Sequence, residues 1–242
     1  MKILAVDTST ASGSVALLDG ETPVIEWALR SARTHNRRLL KTVDRLLGEV
    51  GWEPGGLDGF AVTTGPGSFT GLRIGLTTVK TLAWTLKKPF LGISSLDALA
   101  APLGFASMPV CTILDARKNE LYFALHMPDG RGGVQRVGDC EAIPPERLPE
   151  RIHTPTLFCG DGWLLAGTFL GEKLGELAIG APGYCHVIRA GVVGELARKK
   201  FLAGERDDPL TAVPLYVRPS EAEIKNPHPA NHADPPENSP NG

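Results

Sequence analysis

The feature that most constrains the fold of this chain is a glycine-rich segment, residues 65–75, which reads GPGSFTGLRIG. An apolar run at 60–64 precedes it, and apolar residues at helical spacing follow it over 72–86. This order predicts a strand, a tight turn and a helix. A helix that begins at such a turn directs free N–H groups and the positive end of its dipole toward the turn. The segment therefore predicts either an anion or phosphate site or a tight packing corner.

The spacing separates this turn from the common nucleotide-binding motifs. Its glycines follow GxGxxxG, one residue longer than the dinucleotide-binding fingerprint, and no P-loop Lys-Ser or Lys-Thr pair follows. Ser68 and Thr70 are candidates for phosphate binding or nucleophilic catalysis, but no GxSxG context surrounds them. We therefore expect one of the two hydroxyls to cap the helix that follows.

Length and composition are typical of one or two globular domains with a sizeable core. The chain has 242 residues, of which 42% are hydrophobic and 21% charged. A net charge of −2 argues against a protein that binds polyanions through its bulk charge. Only four apolar residues precede Asp7, and no apolar run approaches the roughly 18 residues of a membrane span. We therefore expect no signal peptide, no membrane span and a cytoplasmic protein.

Candidate metal ligands are few. Four cysteines are present, and none forms a CxxC pair: Cys111, Cys140, Cys159 and Cys185. We expect reduced thiols and neither disulfides nor zinc. His228 and His232 stand four residues apart, but the surrounding prolines prevent the helix that would make them a ligand pair. The sequence predicts no metal and no cofactor.

The first half of the chain has the predicted order β-β-β-α-β-α-β-α. Strands are predicted at 2–8, 13–18, 23–29, 59–63 and 90–93, and helices at 34–50, 72–86 and 94–103. This order indicates an α/β layered sheet and is typical of the ribonuclease-H-like, actin-like ATPase superfamily. In that superfamily the carboxylate after the first strand faces nucleotide phosphate and metal. Asp7 occupies the matching position.

The second half is predicted to repeat the first in reduced form. Residues 3–7 have an echo at 111–115, and both runs end in aspartate. The turn after the second run has no glycine, and no second glycine motif for adenosine follows. Later elements are predicted at 157–159, 163–170, 176–179 and 188–202. We therefore predict two pseudo-repeated halves, 1–104 and 105–224, and a disordered tail rich in Pro, Asn and His at 225–242.

Three groups of polar residues admit two interpretations each. Asp7 and Asp115 are candidates for a metal-bridging pair, but we favour strand-end carboxylates that bind nearby backbone N–H groups. His35 has no second ligand, since Arg38 and Leu39 follow at the required spacings, so we expect a polar helix-end residue. The basic face of the first helix is either a contact for tRNA phosphate or an acidic partner, or a solvated surface. It comprises Arg33, Arg37, Arg38, Lys41 and Arg45.

Several motifs in the same order resemble the bacterial TsaB (YeaZ) family, the dimerisation subunit of the machinery that makes threonylcarbamoyladenosine in tRNA. The resemblance spans residues 1–224. It rests on AVDTS at 5–9, the segment at 65–75, GISSLDALA at 92–100, DARKNELY at 115–122 and PLYVR at 214–218. One departure is Asn36, because the family often has serine after the residue that corresponds to His35.

The resemblance implies a non-catalytic scaffold with an actin-like fold, and no enzyme activity of its own. Its partner would be the catalytic paralogue TsaD, which carries a metal-binding HxxxH on the corresponding helix. Here Leu39 stands four residues after His35, so that motif is missing. The complex transfers a threonylcarbamoyl group from its adenylate to the adenosine beside the anticodon. The ATPase TsaE is a further implied partner. The chain is expected to contact tRNA only indirectly, as part of the complex. Alone, it is expected to form a homodimer.

TsaD would be bound through the first two helices of each protein. The candidate interface residues, chosen by helix position, are His35, Leu39, Val43, Leu46, Leu72, Arg73, Leu76, Lys80 and Ala83. The turn would be a degenerate phosphate loop formed by Asp7, Thr8, Ser9, Gly65, Gly67 and Ser68.

The alternative is an active ATP-dependent small-molecule kinase or ATPase of the same superfamily. Asp7 and the glycine segment favour it, whereas the reduced second half and the missing adenosine motif count against it. A peptidase has no catalytic constellation in this sequence to support it.

Overall fold

The computed structural model describes residues 1–30 and 38–217. The first half of the chain has the expected order of three strands and then helices alternating with strands. Its elements are β1 (Lys2–Asp7), β2 (Ser12–Asp19), β3 (Thr22–Arg30), α1 (Leu39–Val50), β4 (Gly59–Gly65), α2 (Phe69–Leu86), β5 (Phe90–Ser94) and α3 (Ser95–Ala100).

The second half repeats the three-strand start and has fewer helices between its strands. Its elements are β6 (Val110–Arg117), β7 (Glu120–Pro128), β8 (Val134–Ile143), β9 (Thr156–Cys159), α4 (Asp161–Leu174), β10 (Ala178–Gly180) and α5 (Ala190–Leu202). A short 3₁₀ segment, Pro145–Arg151, stands where the first half has α1. The reduction predicted for this half therefore affects its helices and its last strand, whereas each sheet has five strands.

The two sheets have the same topology. The first has the order β3-β2-β1-β4-β5 and the second, read from its other edge, β8-β7-β6-β9-β10. In both, the central strand pairs antiparallel with the next strand in sequence and parallel with the fourth. The echo between residues 3–7 and 111–115 is thus the repeat of the two central strands. Helices cover both faces of the first sheet, which explains why β1 is a continuous apolar run.

Helix α5 departs from the predicted division into 1–104 and 105–224. It belongs to the second half in sequence, but it packs on the first sheet and shares a buried cluster with Ile3 and Ala5 of β1. Gly194 makes this possible, because a Cβ at that position would lie 2.3 Å from Cδ1 of Leu18. This apolar face of the first sheet is therefore covered in part by α5.

After α5 the chain runs along the first half as a segment that we call the C-terminal strap, residues 207–217. The N–H of Asp207 donates to the carbonyl oxygen of Phe90 in β5 at 2.9 Å. Near the other end, the N–H of Leu215 donates to the carbonyl oxygen of Thr64 in β4 at 2.8 Å. The strap is therefore fastened to two neighbouring strands of the first sheet.

Parts of two predictions lie outside the described residues. These are the tail at 225–242 and the beginning of the first helix, for which the structure describes α1 from Leu39. The predicted stop of that helix is confirmed: Gly51 has a φ of 67° and ends it. None of the helices within the described ranges is long and apolar enough to cross a bilayer.

Candidate functional site

The glycine turn places the beginning of α2 directly against the turn between β1 and β2. Gly65 has a φ of 122°, a conformation that favours glycine. Ser68 caps α2, since its Oγ accepts the N–H of Gly71 at 3.2 Å. The sequence predicted that one hydroxyl of this turn would cap the helix, and the structure assigns that role to Ser68.

On the side that faces the β1–β2 turn, the glycine turn packs against the chain itself. The N–H of Ser68 donates to the carbonyl oxygen of Ser9 at 2.6 Å, and Thr8 Oγ1 donates to the carbonyl oxygen of Gly71 at 2.7 Å. A Cβ at Gly67 would lie 2.3 Å from the Ser9 oxygen, and one at Gly71 2.0 Å from the Thr8 oxygen. Of the two alternatives left open by the sequence, a tight packing corner accounts for these glycines.

Asp7 is a buried strand-end carboxylate, as we expected. Its Oδ1 accepts the N–H of Ser9 at 3.0 Å, the hydroxyl of Ser9 at 2.6 Å and the hydroxyl of Thr63 at 2.7 Å. The carboxylate is fully buried and stabilises the ends of β1 and β4. Within the described residues, no group of three or more His, Cys, Asp or Glu side chains is placed to hold a metal ion.

A cleft of about 620 Å³ opens between the two halves, beside the glycine turn. From the first half it is lined by the turn, by the start of α2 and by the strap; from the second half it is lined by the β6–β7 turn and the start of α4. The lining residues are Ser9, Thr10, Ala11, Gly67, Ser68, Phe69, Thr70, Arg73, Leu114, Asp115, Ala116, Arg117, Lys118, Tyr122, Asp161, Leu215 and Tyr216. Asp115 faces this cleft, whereas Asp7 does not line it.

The second-half wall of the cleft is built around Asp161. Its Oδ1 accepts the N–H of Asp115 at 3.0 Å. Burial raises the pKa of the Asp161 carboxyl above its ordinary value, and the hydrogen bond from Asp115 opposes that rise. The preceding residue, Gly160, donates its N–H to Nδ1 of His186 at 3.2 Å. Burial lowers the pKa of His186, which favours the neutral ring that can accept this bond.

The β6–β7 turn at the edge of the cleft has an unusual backbone. Arg117, Lys118 and Asn119 have φ values of 63°, 53° and 58°, in the left-handed region that non-glycine residues rarely adopt. Asp115 stabilises the turn: its Oδ1 accepts the N–H of Arg117 at 2.8 Å, and its Oδ2 lies 3.0 Å from the guanidinium of Arg117. This edge therefore presents basic side chains to the cleft on a constrained backbone.

Three side chains form a cluster where the strap meets the start of α2. The guanidinium of Arg73 lies 3.8 Å from the ring centroid of Phe69. Its Nε donates to the hydroxyl of Tyr216 at 3.1 Å. The rings of Phe69 and Tyr216 are 5.3 Å apart. The cluster joins the mouth of the cleft to the outer side of α2.

Most of the predicted interface residues point into this chain's own core, and their assignment to a partner interface needs correction. Six of them are nearly fully buried against the first sheet: Leu39, Val43, Leu46, Leu72, Leu76 and Ala83. The apolar stripe of an amphipathic helix faces its own sheet first, so helix position alone selected the wrong face. Arg73 and Lys80 instead bind the strap. His35 lies outside the described residues.

The outer face of α2 carries residues that the sequence reading missed. Thr70, Thr77, Thr81 and Thr85 are exposed, as is Trp84. In the sequence, these residues recur at helical spacing opposite the leucine stripe, and this pattern could have identified the outer face. α1 contributes Leu40, which is 57% exposed.

All four cysteines are free thiols, as predicted. Burial raises the pKa of the Cys111 and Cys159 thiols, and it raises the pKa of Cys140 to about 12. These thiols are therefore protonated and unreactive near neutral pH.

Known proteins and solved structures match nearly the whole chain. The family model described as tRNA N6-adenosine threonylcarbamoyltransferase (TsaD) matches residues 29–226. The tRNA threonylcarbamoyladenosine biosynthesis protein TsaB of Bacillus subtilis is 33% identical over 93% of this chain and 97% of its own length. A solved structure of YeaZ from Pseudomonas aeruginosa is 30% identical, with a TM-score of 0.74 over 89% of this chain and 99% of that one.

A more distant structure extends the comparison of the fold. The activator of 2-hydroxyisocaproyl-CoA dehydratase from Clostridium difficile, solved with bound ADPNP, is 11% identical with a TM-score of 0.51, over 86% of this chain and 99% of that one. At this identity the similarity shows the fold alone. Fold and site together define a class: an actin-like ATPase fold whose glycine turn is occupied by its own chain. Within that class, the chain belongs to the TsaB (YeaZ) family.

Proposed function

We propose that this chain acts in the formation of threonylcarbamoyladenosine in tRNA, as a non-catalytic subunit that binds and activates the threonylcarbamoyltransferase TsaD. The relatives that carry the TsaB name are called tRNA threonylcarbamoyladenosine biosynthesis proteins. The ATPase TsaE would join the larger complex, and tRNA would be met through that complex. Alone, the chain would form a homodimer.

One observation supports a non-catalytic role above the others. The N–H of Ser68, at the start of α2, is used by the carbonyl oxygen of Ser9. On the side that faces β1, Gly67 and Gly71 pack against the carbonyl groups of Ser9 and Thr8. A phosphate cradle needs free N–H groups and open space at the helix start. A turn filled in this way supports a scaffold better than an ATP-hydrolysing enzyme.

The outer faces of α1 and α2 are the proposed contact with TsaD. The leucine stripe of both helices is already buried in the first sheet, so the contact would use the opposite faces. On α2 these carry Thr77, Thr81 and Trp84, and on α1 Leu40. The outer face of α2, with few charges and an exposed tryptophan, has the composition of an interface core, whereas the outer face of α1 also carries exposed charges such as Lys41 and Arg45.

The test is a binding titration between this chain and its cognate TsaD, with Thr77→Arg as the variant. Thr77 is exposed on α2, so the substitution leaves the fold intact and places a charge in the contact. We expect at least about a tenfold loss of affinity and an equal loss of threonylcarbamoyladenosine formation at limiting subunit. Leu76 is unsuitable, because it is buried in the core. Thr168→Arg, on the exposed face of α4, is the matched control.

The proposal fails if wild type forms no complex with TsaD, or if the two threonine variants bind equally well. Its rival is an active kinase or ATPase, for which the cleft of about 620 Å³ is the favourable observation. Calorimetric titration of the isolated chain with ATP and Mg²⁺ separates the two. Binding that is lost in Arg117→Ala, together with ATP turnover, would favour the rival.

A further inference from the structure

The C-terminal strap lies along α2 in the opposite direction. Three contacts establish that the strap and α2 are antiparallel. Pro209 and Trp84 line the same surface depression, Nζ of Lys80 donates to the carbonyl oxygen of Ala212 at 3.1 Å, and Tyr216 accepts from Arg73. As the strap advances from 209 to 216, its partners on α2 run back from 84 to 73. The strap therefore extends the outer surface of α2 sideways along most of the helix.

The strap also binds the charged side chains of that surface. α2 contains only two charged side chains, Arg73 and Lys80. Both are turned toward the strap, one to the Tyr216 hydroxyl and one to the Ala212 carbonyl. The remaining outer face of α2 consists of threonines and Trp84. Charge depletion at the centre is the compositional feature that distinguishes protein–protein interfaces from ordinary surface.

The strap itself exposes large apolar side chains on its outer side. Ala212 points inward and packs against the core of the first half. Leu210 and Val213 point outward and are 69% and 71% exposed. Trp84, beside the strap, is 60% exposed. A row of exposed apolar residues on a fastened segment has the character of a docking surface for an apolar counterpart.

We propose that the strap forms one half of the surface that docks TsaD, with Leu210, Val213 and Trp84 as its apolar row. This inference rests on the proposed function. The row continues the outer face of α2, where that partner is proposed to bind. An apolar row of this kind requires an apolar counterpart on TsaD. The row itself contains no lysine or arginine side chain with which to contact phosphate, so an apolar protein surface fits it better than nucleic acid.

The experiment compares two double variants that remove equally exposed apolar residues from opposite parts of the molecule. Leu210→Ser with Val213→Ser changes the strap. Leu164→Ser with Leu165→Ser changes α4, where these side chains are 53% and 66% exposed. Affinity for purified TsaD is measured by titration, and the thermal unfolding midpoint of each variant confirms the fold. We expect at least about a tenfold loss for the strap variant and less than about twofold for the α4 variant.

The outcomes separate this inference from the function on which it rests. If Thr77→Arg abolishes binding while the strap variant binds like wild type, the strap is not part of the interface and the proposed function stands. If wild type forms no complex, the proposed function fails. A strap variant that weakens only tRNA binding by the preformed complex, or only self-association, also overturns the inference.

The hydrogen bond that fastens the strap to α2 provides a second test. Lys80→Met removes the hydrogen bond to the Ala212 carbonyl and keeps most of the side-chain volume. We expect faster hydrogen exchange in residues 209–216 and a weaker affinity for TsaD in the same variant. Faster exchange with unchanged affinity would show that the strap is a structural brace only.

Discussion

The two halves of the molecule begin equivalent helices in different ways. In the first half, α2 follows β4 through Gly65 and is capped by the hydroxyl of Ser68. In the second, α4 follows β9 through Gly160, and the carboxylate of Asp161 stands at the start of the helix. Gly65 and Gly160 have φ values of 122° and 112°. Both helices are therefore preceded by a glycine with a positive φ, but the polar side chain at the helix start is a serine hydroxyl in one and an aspartate carboxylate in the other.

The difference is that one turn packs against its own chain and the other places a carboxylate beside the cleft. The hydroxyl of Ser68 accepts an N–H of its own helix, and the neighbouring carbonyl of Ser9 closes the turn. The carboxylate of Asp161 reaches across to the N–H of Asp115 and remains in the wall of the cleft. Both halves therefore contribute to the cleft, the first through the glycine turn and the start of α2, and the second through Asp161 and the β6–β7 turn.

The largest effect is expected from Gly71→Ala. A Cβ at Gly71 would lie 2.0 Å from the carbonyl oxygen of Thr8, which is backbone and cannot rotate away. We expect the free energy of unfolding to fall by about 3 kcal/mol. Gly171→Ala in α4 is the matched control, because no atom lies within 4 Å of the position that its methyl group would take. We expect that control to gain up to about 1 kcal/mol. Urea unfolding of both variants measures the difference, and equal stabilities would contradict the packing role of the first turn.

The second-largest effect on stability is expected from replacing the equivalent aspartates of the two halves, Asp7 and Asp115. Asp7→Ala leaves Ser9 and Thr63 without a buried acceptor, and we expect a loss of about 2 kcal/mol. Asp115 holds a turn that includes exposed Arg117, and Asp115→Ala should cost less than about 1 kcal/mol. Chemical denaturation of both variants measures the two losses of unfolding free energy. A cost for Asp115→Ala as large as that for Asp7→Ala would show that both carboxylates have the same structural role.

The cap of α2 should have a smaller and pH-independent effect. Ser68→Ala removes the acceptor of the Gly71 N–H, and we expect a loss of about 1 kcal/mol. Thr70→Ala, on an exposed neighbour two residues on, is the control and should cost little. Thermal unfolding monitored by circular dichroism measures both. A larger cost for Thr70→Ala would reassign the cap.

The smallest effect is expected at the start of α4, and it depends on pH. Because burial raises the pKa of Asp161 in the folded state, the folded protein binds more protons than the unfolded chain between the two pKa values. Stability from this group is thus present below the unfolded pKa and falls as the pH rises through the folded pKa. Asp161→Asn should remove that decline. Denaturation series from acidic to neutral pH test it, and parallel curves for variant and wild type would exclude it.

The sequence predicted the elements of this fold well because their signals are local. Alternating apolar runs and turn residues located the strands, and the echo of residues 3–7 at 111–115 identified the central strands of both sheets. Gly51, and a hydroxyl cap from either Ser68 or Thr70, were found from the ordinary preferences of helix ends. For Asp7, the strand-end interpretation was confirmed by its hydrogen bonds.

What the sequence could not predict was which partner each apolar face meets. The leucines of α1 and α2 mark a buried stripe, but periodicity does not distinguish a chain's own sheet from another protein. The return of α5 to the first sheet and the course of the strap are contacts between residues far apart in sequence. The cleft combines residues from both halves, so only the folded chain shows that Asp161 and Arg73 line one space.

The return of α5 also has a consequence for synthesis on the ribosome. One face of the first sheet is covered by Val193, Ala197 and Phe201, which are translated after the whole second half. Until they leave the exit tunnel, an apolar face of the earliest strands stays open to solvent. We therefore expect the nascent first half to require chaperone protection, and a chain cut after residue 189 to aggregate rather than to yield a stable N-terminal domain.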